Sequence, residues 1–200
     1  MSAAAEDAQA NEQPRRMTIP TLDLGSGLAL SPLTMADAEE LFAVIEHNRA
    51  NLREWLTWVD QHESVAQVEE SIREIHEADL ERTGRMFALR DRGSIVGMAG
   101  FTKISEDLRT GEISYWLGAA SRGRGWITQA GEALVAHGFD ALGLNRIRLE
   151  IVTGNVRSRA VAGRLGCSVD RIEREALHLN GKLVDVAVFG LSKSDWSSQS

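Results

Sequence analysis

The sequence predicts a mixed α/β (α+β) fold, with a mostly antiparallel central sheet flanked by helices, on three observations. Segments of period-2 alternation, such as residues 146–152 (RIRLEIV), are interleaved with segments whose apolar residues recur at helical spacing, such as Val65, Val68, Ile72 and Ile75. The strand-like runs between residues 86 and 117 follow one another with only short turn signals between them, which makes a meander. The chain closes on two apolar runs separated by Asn180-Gly181, a pair that readily takes the positive φ angles of a tight hairpin turn.

The elements follow in order. Residues 28–33 form a short strand, after which Ser31 or Thr34 caps a helix carrying Ala38, Leu41, Phe42 and Ile45 on one face. A second short helix runs through Leu52, Trp55 and Val59. Ser64 opens a third, apolar on one side and lined on the other by Glu69, Glu70, Glu74 and Glu77. Strands over residues 86–90 and 95–104 are joined through Asp91, Arg92 and Gly93, and a strand over 112–117 follows the turn at Arg109, Thr110 and Gly111. A helix from Trp126 through Ala130, Leu134, Val135 and Phe139 ends near Gly143. Residues 146–152 are a strand, 156–165 a helix, and 169–179 with 183–191 the closing hairpin.

With 200 residues, 43% of them hydrophobic, the chain has enough material for one good core. We expect a leader over residues 1–16, rich in Ala, Glu, Gln and Asn, a single domain over 17–193 and a tail over 194–200. The leader lacks the apolar core of a signal peptide, and no apolar run reaches the ~18 residues of a membrane span. The single cysteine, Cys167, excludes an intramolecular disulfide and fits a reducing cytoplasm. It sits beside Leu165, Gly166 and Val169 as a small buried hydrophobe. The five histidines have no metal-ligand spacing with it, so no metal is expected. A net charge of -7 argues against nucleic acid as a partner. Arginines nevertheless outnumber acids between residues 122 and 164, a basic strip suited to a polyanionic ligand.

Within that strip, the strand GEISYWLG runs into Arg122, Gly123, Arg124, Gly125, Trp126 and Ile127 at the start of a helix. Glycines let the backbone approach an anion closely, and the first N–H groups of a helix have no carbonyl partners of their own. The positive end of the helix dipole and the two arginines add charge, so the turn reads as a dock for a pyrophosphate. An ordinary exposed turn with two solvated arginines is the bland alternative. A dinucleotide fold is a poor competitor, because these glycines follow a meander and not a first parallel strand.

The order of elements, with YWLG followed by RGRGWI, resembles the GNAT superfamily of acetyl-CoA-dependent N-acetyltransferases over nearly all of residues 28–191. The superfamily's phosphate loop has the form [QR]-x-x-G-x-[GA], and here Ile127 replaces its last small residue. That departure resembles the RimJ/RimL-like branch, which acetylates ribosomal-protein N-termini. Further branch features are NLREWLTW at residues 51–58, NVRS at 155–158 and LHLNGKLVD at 177–185.

The resemblance implies a splayed pair of strands that receives the pantetheine of acetyl-CoA. Trp116, Leu117 and Gly118 would offer it backbone groups, Arg122 to Ile127 would hold the pyrophosphate, and Asn155 would bond the pantetheine or order the helix start. Ser158 would protonate the departing thiolate, a part that Tyr115, the one tyrosine, is poorly placed to play. Trp55 and Trp58 would wall the acceptor cleft. Glu112 is the first candidate for general base and Asp170 the second; a structural carboxylate is the bland reading of each. An α-amino group of pKa about 7.8 costs only ~1.1 kcal/mol to deprotonate at pH 7, against ~4.6 kcal/mol for a lysine side chain, so an N-terminal acceptor needs little help. The expectation is direct transfer from acetyl-CoA to a protein N-terminus, of the ribosomal serine or alanine type, by a cytoplasmic homodimer. The alternatives are acetylation of a small amine, such as a polyamine, amino acid or antibiotic, and a catalytically silent acyl-CoA-binding module.

Overall fold

The computed structural model of the chain describes residues 19–198, so the leader expected over 1–16 lies outside the described residues. One eight-stranded sheet has the order β1-β2-β3-β4-β5-β6-β8-β7. Its strands are β1 (Leu22–Gly25), β2 (Leu28–Pro32), β3 (Arg85–Asp91), β4 (Ser94–Ser105), β5 (Thr110–Leu117), β6 (Arg146–Val152), β7 (Ser168–Leu179) and β8 (Lys182–Ser192). All neighbours are antiparallel except β5 and β6. The helices are α1 (Ala38–Arg53), α2 (Val65–Leu80), α3 (Trp126–Ala136), α4 (Val156–Arg164) and α5 (Lys193–Ser197).

Strand alternation divides the core between the two faces of the sheet. Phe87, Leu89, Phe101, Ile147 and Leu149 pack with Leu134, Val135 and Phe139 in one cluster. Ala88, Met98 and Trp116 pack with Leu41, Ile45, Val68 and Ile72 of α1 and α2 in the other. Among the described residues no helix is long and apolar enough to cross a membrane.

Four elements depart from expectation. The strand β1 was not foreseen: it is only four residues, LDLG, with alternate positions exposed. The expected second short helix does not exist as such. Helix α1 continues unbroken to Arg53, and the apolar residues beyond it belong to a turn and a 3-10 segment at Val59–Gln61. Helix α3 passes into a π-helical turn at His137–Ala141 before the chain leaves through Leu142 and Gly143. Residues 193–197, partly assigned to a tail, form α5, whose Trp196 ring lies 5.2 Å from Phe139.

The π-turn places His137 in a buried polar group. Arg85 donates to Asp79 at 2.6 Å, and its second arm lies 3.3 Å from Nε2 of His137. Burial, and then the Arg85 charge, lower the His137 pKa. The unfolded chain therefore binds a proton more readily than the native one as pH falls below about 6.5, and stability drops in that window. We expect His137→Gln to flatten the fall in melting temperature between pH 7 and pH 5, measured by thermal denaturation at a series of pH values.

Candidate active site

The parallel pairing of β5 with β6 lasts for three residues, Thr110 with Arg146, Gly111 with Ile147 and Glu112 with Arg148, and then stops. Beyond it, residues 113–117 and 149–152 diverge, and a cleft of ≈ 1340 Å³ opens between them. The splay leaves one edge of β5 unpaired. Gly118 donates to Val96 of β4 at 2.8 Å. Alternation then turns the main-chain groups of Trp116 and Ser114 toward β4, and those of Tyr115 and Leu117 toward the cleft. Of the three residues expected to offer backbone groups, only Leu117 faces the opening. Trp116 is a core side chain, and Gly118 is consumed by β4.

The turn after β5 is held from behind by a residue that sequence reasoning missed. Asn48, buried on α1, donates to the Val44 carbonyl at 2.8 Å and accepts from the N–H of Ala119 at 2.8 Å. The chain then passes through Gly123 and Gly125, at φ 80° and 78°, into α3. A Cβ at either glycine would stand in open space. No side chain among the described residues caps α3. Among the described residues, the N–H groups of Gly123, Arg124, Gly125, Trp126, Ile127 and Thr128 have no hydrogen-bond partner. Six free donors at a helix start form a site for an anion with several oxygens.

Around them Arg122, with Nε 3.4 Å from the Leu117 carbonyl, and Arg164, which donates to Thr128 at 3.2 Å, line the cleft together with Arg157. Arg124, one of the residues expected to hold the pyrophosphate, does not line it; its guanidinium lies over the Trp126 ring, 4.9 Å from the centroid. Ile127 is half-buried against the sheet core, so a branched apolar residue fits where the general pattern has a small one.

On the opposite wall, Asn155 caps α4 by accepting from the Ser158 N–H at 3.1 Å. Ser158 lines the cleft, and its hydroxyl has no partner among the described residues. Its carbonyl accepts from the Tyr115 hydroxyl at 3.1 Å. Burial pushes the pKa of that phenol up to about 12, so Tyr115 keeps its proton and ties β5 to α4 across the cleft.

The carboxylates are arranged otherwise than expected. Glu112 lines the cleft but is engaged: Lys103 donates to it at 3.2 Å, and Thr102, which a register shift in β4 sets out of the ladder, lies 3.4 Å away. Asp170 is not in the cleft. It occupies a register shift in β7 and accepts from Arg146 at 2.5 Å, the pair passing over Gly190, where there is no side chain to obstruct it. Glu150 was not foreseen. It lines the cleft on β6 with no hydrogen bond or ion pair among the described residues, and burial, then the Glu112 charge, raise its pKa. Of the two tryptophans, Trp55 lines the cleft, whereas Trp58 packs against Trp116 at 6.1 Å between centroids and belongs to the core. Cys167 is buried and its thiol is pushed up to about 11, so it is no nucleophile at neutral pH.

An anion dock, a strand edge open to an extended ligand, and a free hydroxyl and a free carboxylate lining the same cleft suit acyl transfer from a phosphate-bearing donor. Comparison with known proteins agrees. Residues 28–168 match the Acetyltransferase (GNAT) domain. YdaF of Bacillus subtilis (strain 168) is 31% identical over 90% of this chain and 98% of its own length. The ribosomal-protein-serine acetyltransferase of Escherichia coli (strain K12) is 27% identical over 84% of this chain and 94% of its own. Among solved structures, RimL, a ribosomal L7/L12 alpha-N-protein acetyltransferase in complex with coenzyme A, superposes with a TM-score of 0.84 at 21% identity, covering 86% of this chain and 98% of that one. The chain belongs to the GNAT family of acetyltransferases.

Proposed function

We propose that this acetyltransferase moves the acetyl group of acetyl-CoA onto the α-amino group of a protein N-terminus, of the ribosomal-protein type that begins with serine or alanine. The observation that carries the reading is the divergence of β5 and β6 between a six-donor anion dock and the Ser158 wall. The ribosomal-protein acetyltransferases among its relatives, similar over most of their length, favour that acceptor class.

The residues present fit the donor. The free N–H groups of Gly123 to Thr128, with Arg122 and Arg164, suit its pyrophosphate. The outward main-chain groups of Tyr115 and Leu117 suit the amides of pantetheine. Acetyl-CoA supplies an activated thioester; the protein supplies position and protons. The acceptor nitrogen attacks the thioester carbon directly and the C–S bond breaks. The proton lost by the amine passes through water to Glu150, and Ser158 donates one to the departing thiolate while taking a proton back from cleft water, which Glu150 replenishes as it returns to the carboxylate.

Glu112, tied to Lys103, serves in this reading to raise the Glu150 pKa by proximity and not to act as base. We expect Glu150→Gln to lower kcat/KM about tenfold at pH 7 and to make the acid limb of its pH profile shallower. Protonation of the acceptor amine, of pKa about 7.8, keeps part of that limb in the variant, whereas the steeper part comes from protonation of Glu150 as pH falls through its raised pKa.

The direct test is to incubate the enzyme with acetyl-CoA, N-terminal peptides and small amines, and to weigh the products. Acetylated peptides support the reading; turnover of small amines alone overturns it. A homodimer and a cytoplasmic setting belong to the same proposal. Among the described residues the outer edge of β7 has no strand beside it, and Val169 and Ile172 are exposed on that strand, which is the kind of surface a second copy would cover. Light scattering reads the mass.

A further inference from the structure

We propose that the free end of the β7–β8 hairpin clamps the acceptor end of the cleft, with Asn180 and Asp185 as its positioning residues. The inference rests on reading the wall formed by the end of α1 and by β7 as the side where the acceptor enters.

Strand β8 is flanked by β6 only from Ser192 back to Val186. Past that point Leu177, His178 and Leu179 pair with Val184, Leu183 and Lys182 alone, so the hairpin leaves the sheet as a two-stranded ribbon. Such a ribbon is marginally stable by itself in water. Two devices hold it. At its tip, Asn180 and Gly181 take φ 50° and 78°, and the Asn180 amide donates at 2.9 Å to the carbonyl of Arg53, the last residue of α1. Helix-end carbonyls lack partners within the helix, so one orphan group is satisfied across 127 positions of sequence.

At its root, β7 carries three residues, Arg174, Glu175 and Ala176, opposite Asp185 alone, with Glu175 at φ 48°. Asp185 staples this bulge. Its carboxylate accepts from the Glu175 N–H at 3.0 Å and pairs with Arg174. Its carbonyl accepts from Thr153 at 2.9 Å, where β6 ends and the chain turns toward Asn155 and Ser158.

Both devices act on cleft walls. The bulge sets Glu173, Ala176 and Leu177 on one side, and the tip joins them to the segment carrying Glu54 and Trp55 on the other. Neither Asn180 nor Asp185 lines the cleft, so each acts through what it holds. This accounts physically for the LHLNGKLVD segment.

The test compares Asn180→Gly, which keeps a turn suited to positive φ and removes only the donor, with Asp185→Ala and Asp185→Asn. The acceptor is whichever compound the wild type turns over among N-terminal peptides and small amines. Absence of peptide turnover in the wild type would thus count against the peptide reading and leave the clamp testable on an amine. Loss of the single Asn180 hydrogen bond in Asn180→Gly, and of the Glu175 bond and the Arg174 pair in Asp185→Ala, is expected to raise the acceptor KM about three- to tenfold. The KM for acetyl-CoA should stay within about twofold. Asp185→Asn, whose amide oxygen can still accept from Glu175, should recover most of the loss. An unchanged acceptor KM in Asn180→Gly, or an equal rise in the KM for acetyl-CoA, would overturn the proposal. Asn180→Gly alone decides it if Asp185→Ala does not fold.

Discussion

Replacing Ser158 by alanine is expected to lower kcat about a hundredfold, while the Kd for CoA and the melting temperature stay near the wild-type values. The geometry makes this substitution unusually clean. Two structural bonds pass through Ser158, but both use its main chain: the N–H donates to Asn155 and the carbonyl accepts from Tyr115. Alanine preserves both and deletes only a hydroxyl that has no protein partner among the described residues. The lost rate then measures proton delivery to the thiolate and not damage to α4. Tyr115→Phe is the companion. Its proton is committed to the Ser158 carbonyl and its pKa is pushed up to about 12, so it should affect kcat less than Ser158→Ala does. Steady-state kinetics with CoA titration reads both variants. A larger loss of kcat in Tyr115→Phe would reassign the acid.

Gly125→Asp should weaken acetyl-CoA binding far more than it weakens the fold. Gly125 is the N-cap of α3, at φ 78°, and a Cβ there meets nothing within 4 Å. Aspartate tolerates left-handed backbone better than most residues, but a side chain at this φ is still strained, so stability should fall by about 1 kcal/mol. The same carboxylate would take up free N–H groups of the loop and place a negative charge where the pyrophosphate is to bind. Two like charges about 4 Å apart repel by about 4 kcal/mol near a protein surface. We therefore expect the KM for acetyl-CoA to rise about a hundredfold, far more than the small fall in stability accounts for. Calorimetric titration with CoA checks the affinity directly. An unchanged affinity would place the anion elsewhere.

What the sequence made legible follows from how local each signal is. Period-2 alternation in residues 146–152 and the Asn180-Gly181 pair are short-range features, and β6 and the closing hairpin formed where they pointed. The turn before α3 was legible for the same reason, since Gly123 and Gly125 meet a backbone demand that few other residues meet. The end of α1 was misjudged because Trp55 and Val59 continue the apolar spacing of Leu52 after the chain has left the helix.

The carboxylates were harder, because their roles depend on long-range register. Asp170 lies in one shift of β7 and turns to Arg146, which no local pattern announces. Glu150 reads as the polar side of an ordinary strand. It faces a cleft only because β6 parts from β5 after Arg148, two positions earlier. Likewise Trp55 and Trp58 share a spacing that fits cleft or core, and the fold sends one to each.

The most direct test of the account is to locate the acetyl group on a peptide that begins with serine and carries one internal lysine. Fragment-ion mass spectrometry after incubation with acetyl-CoA distinguishes the two nitrogens. The account predicts acetylation of the α-amine, lost when that amine is blocked beforehand. Acetyl on the lysine side chain, or an untouched peptide beside an acetylated small amine, would contradict it.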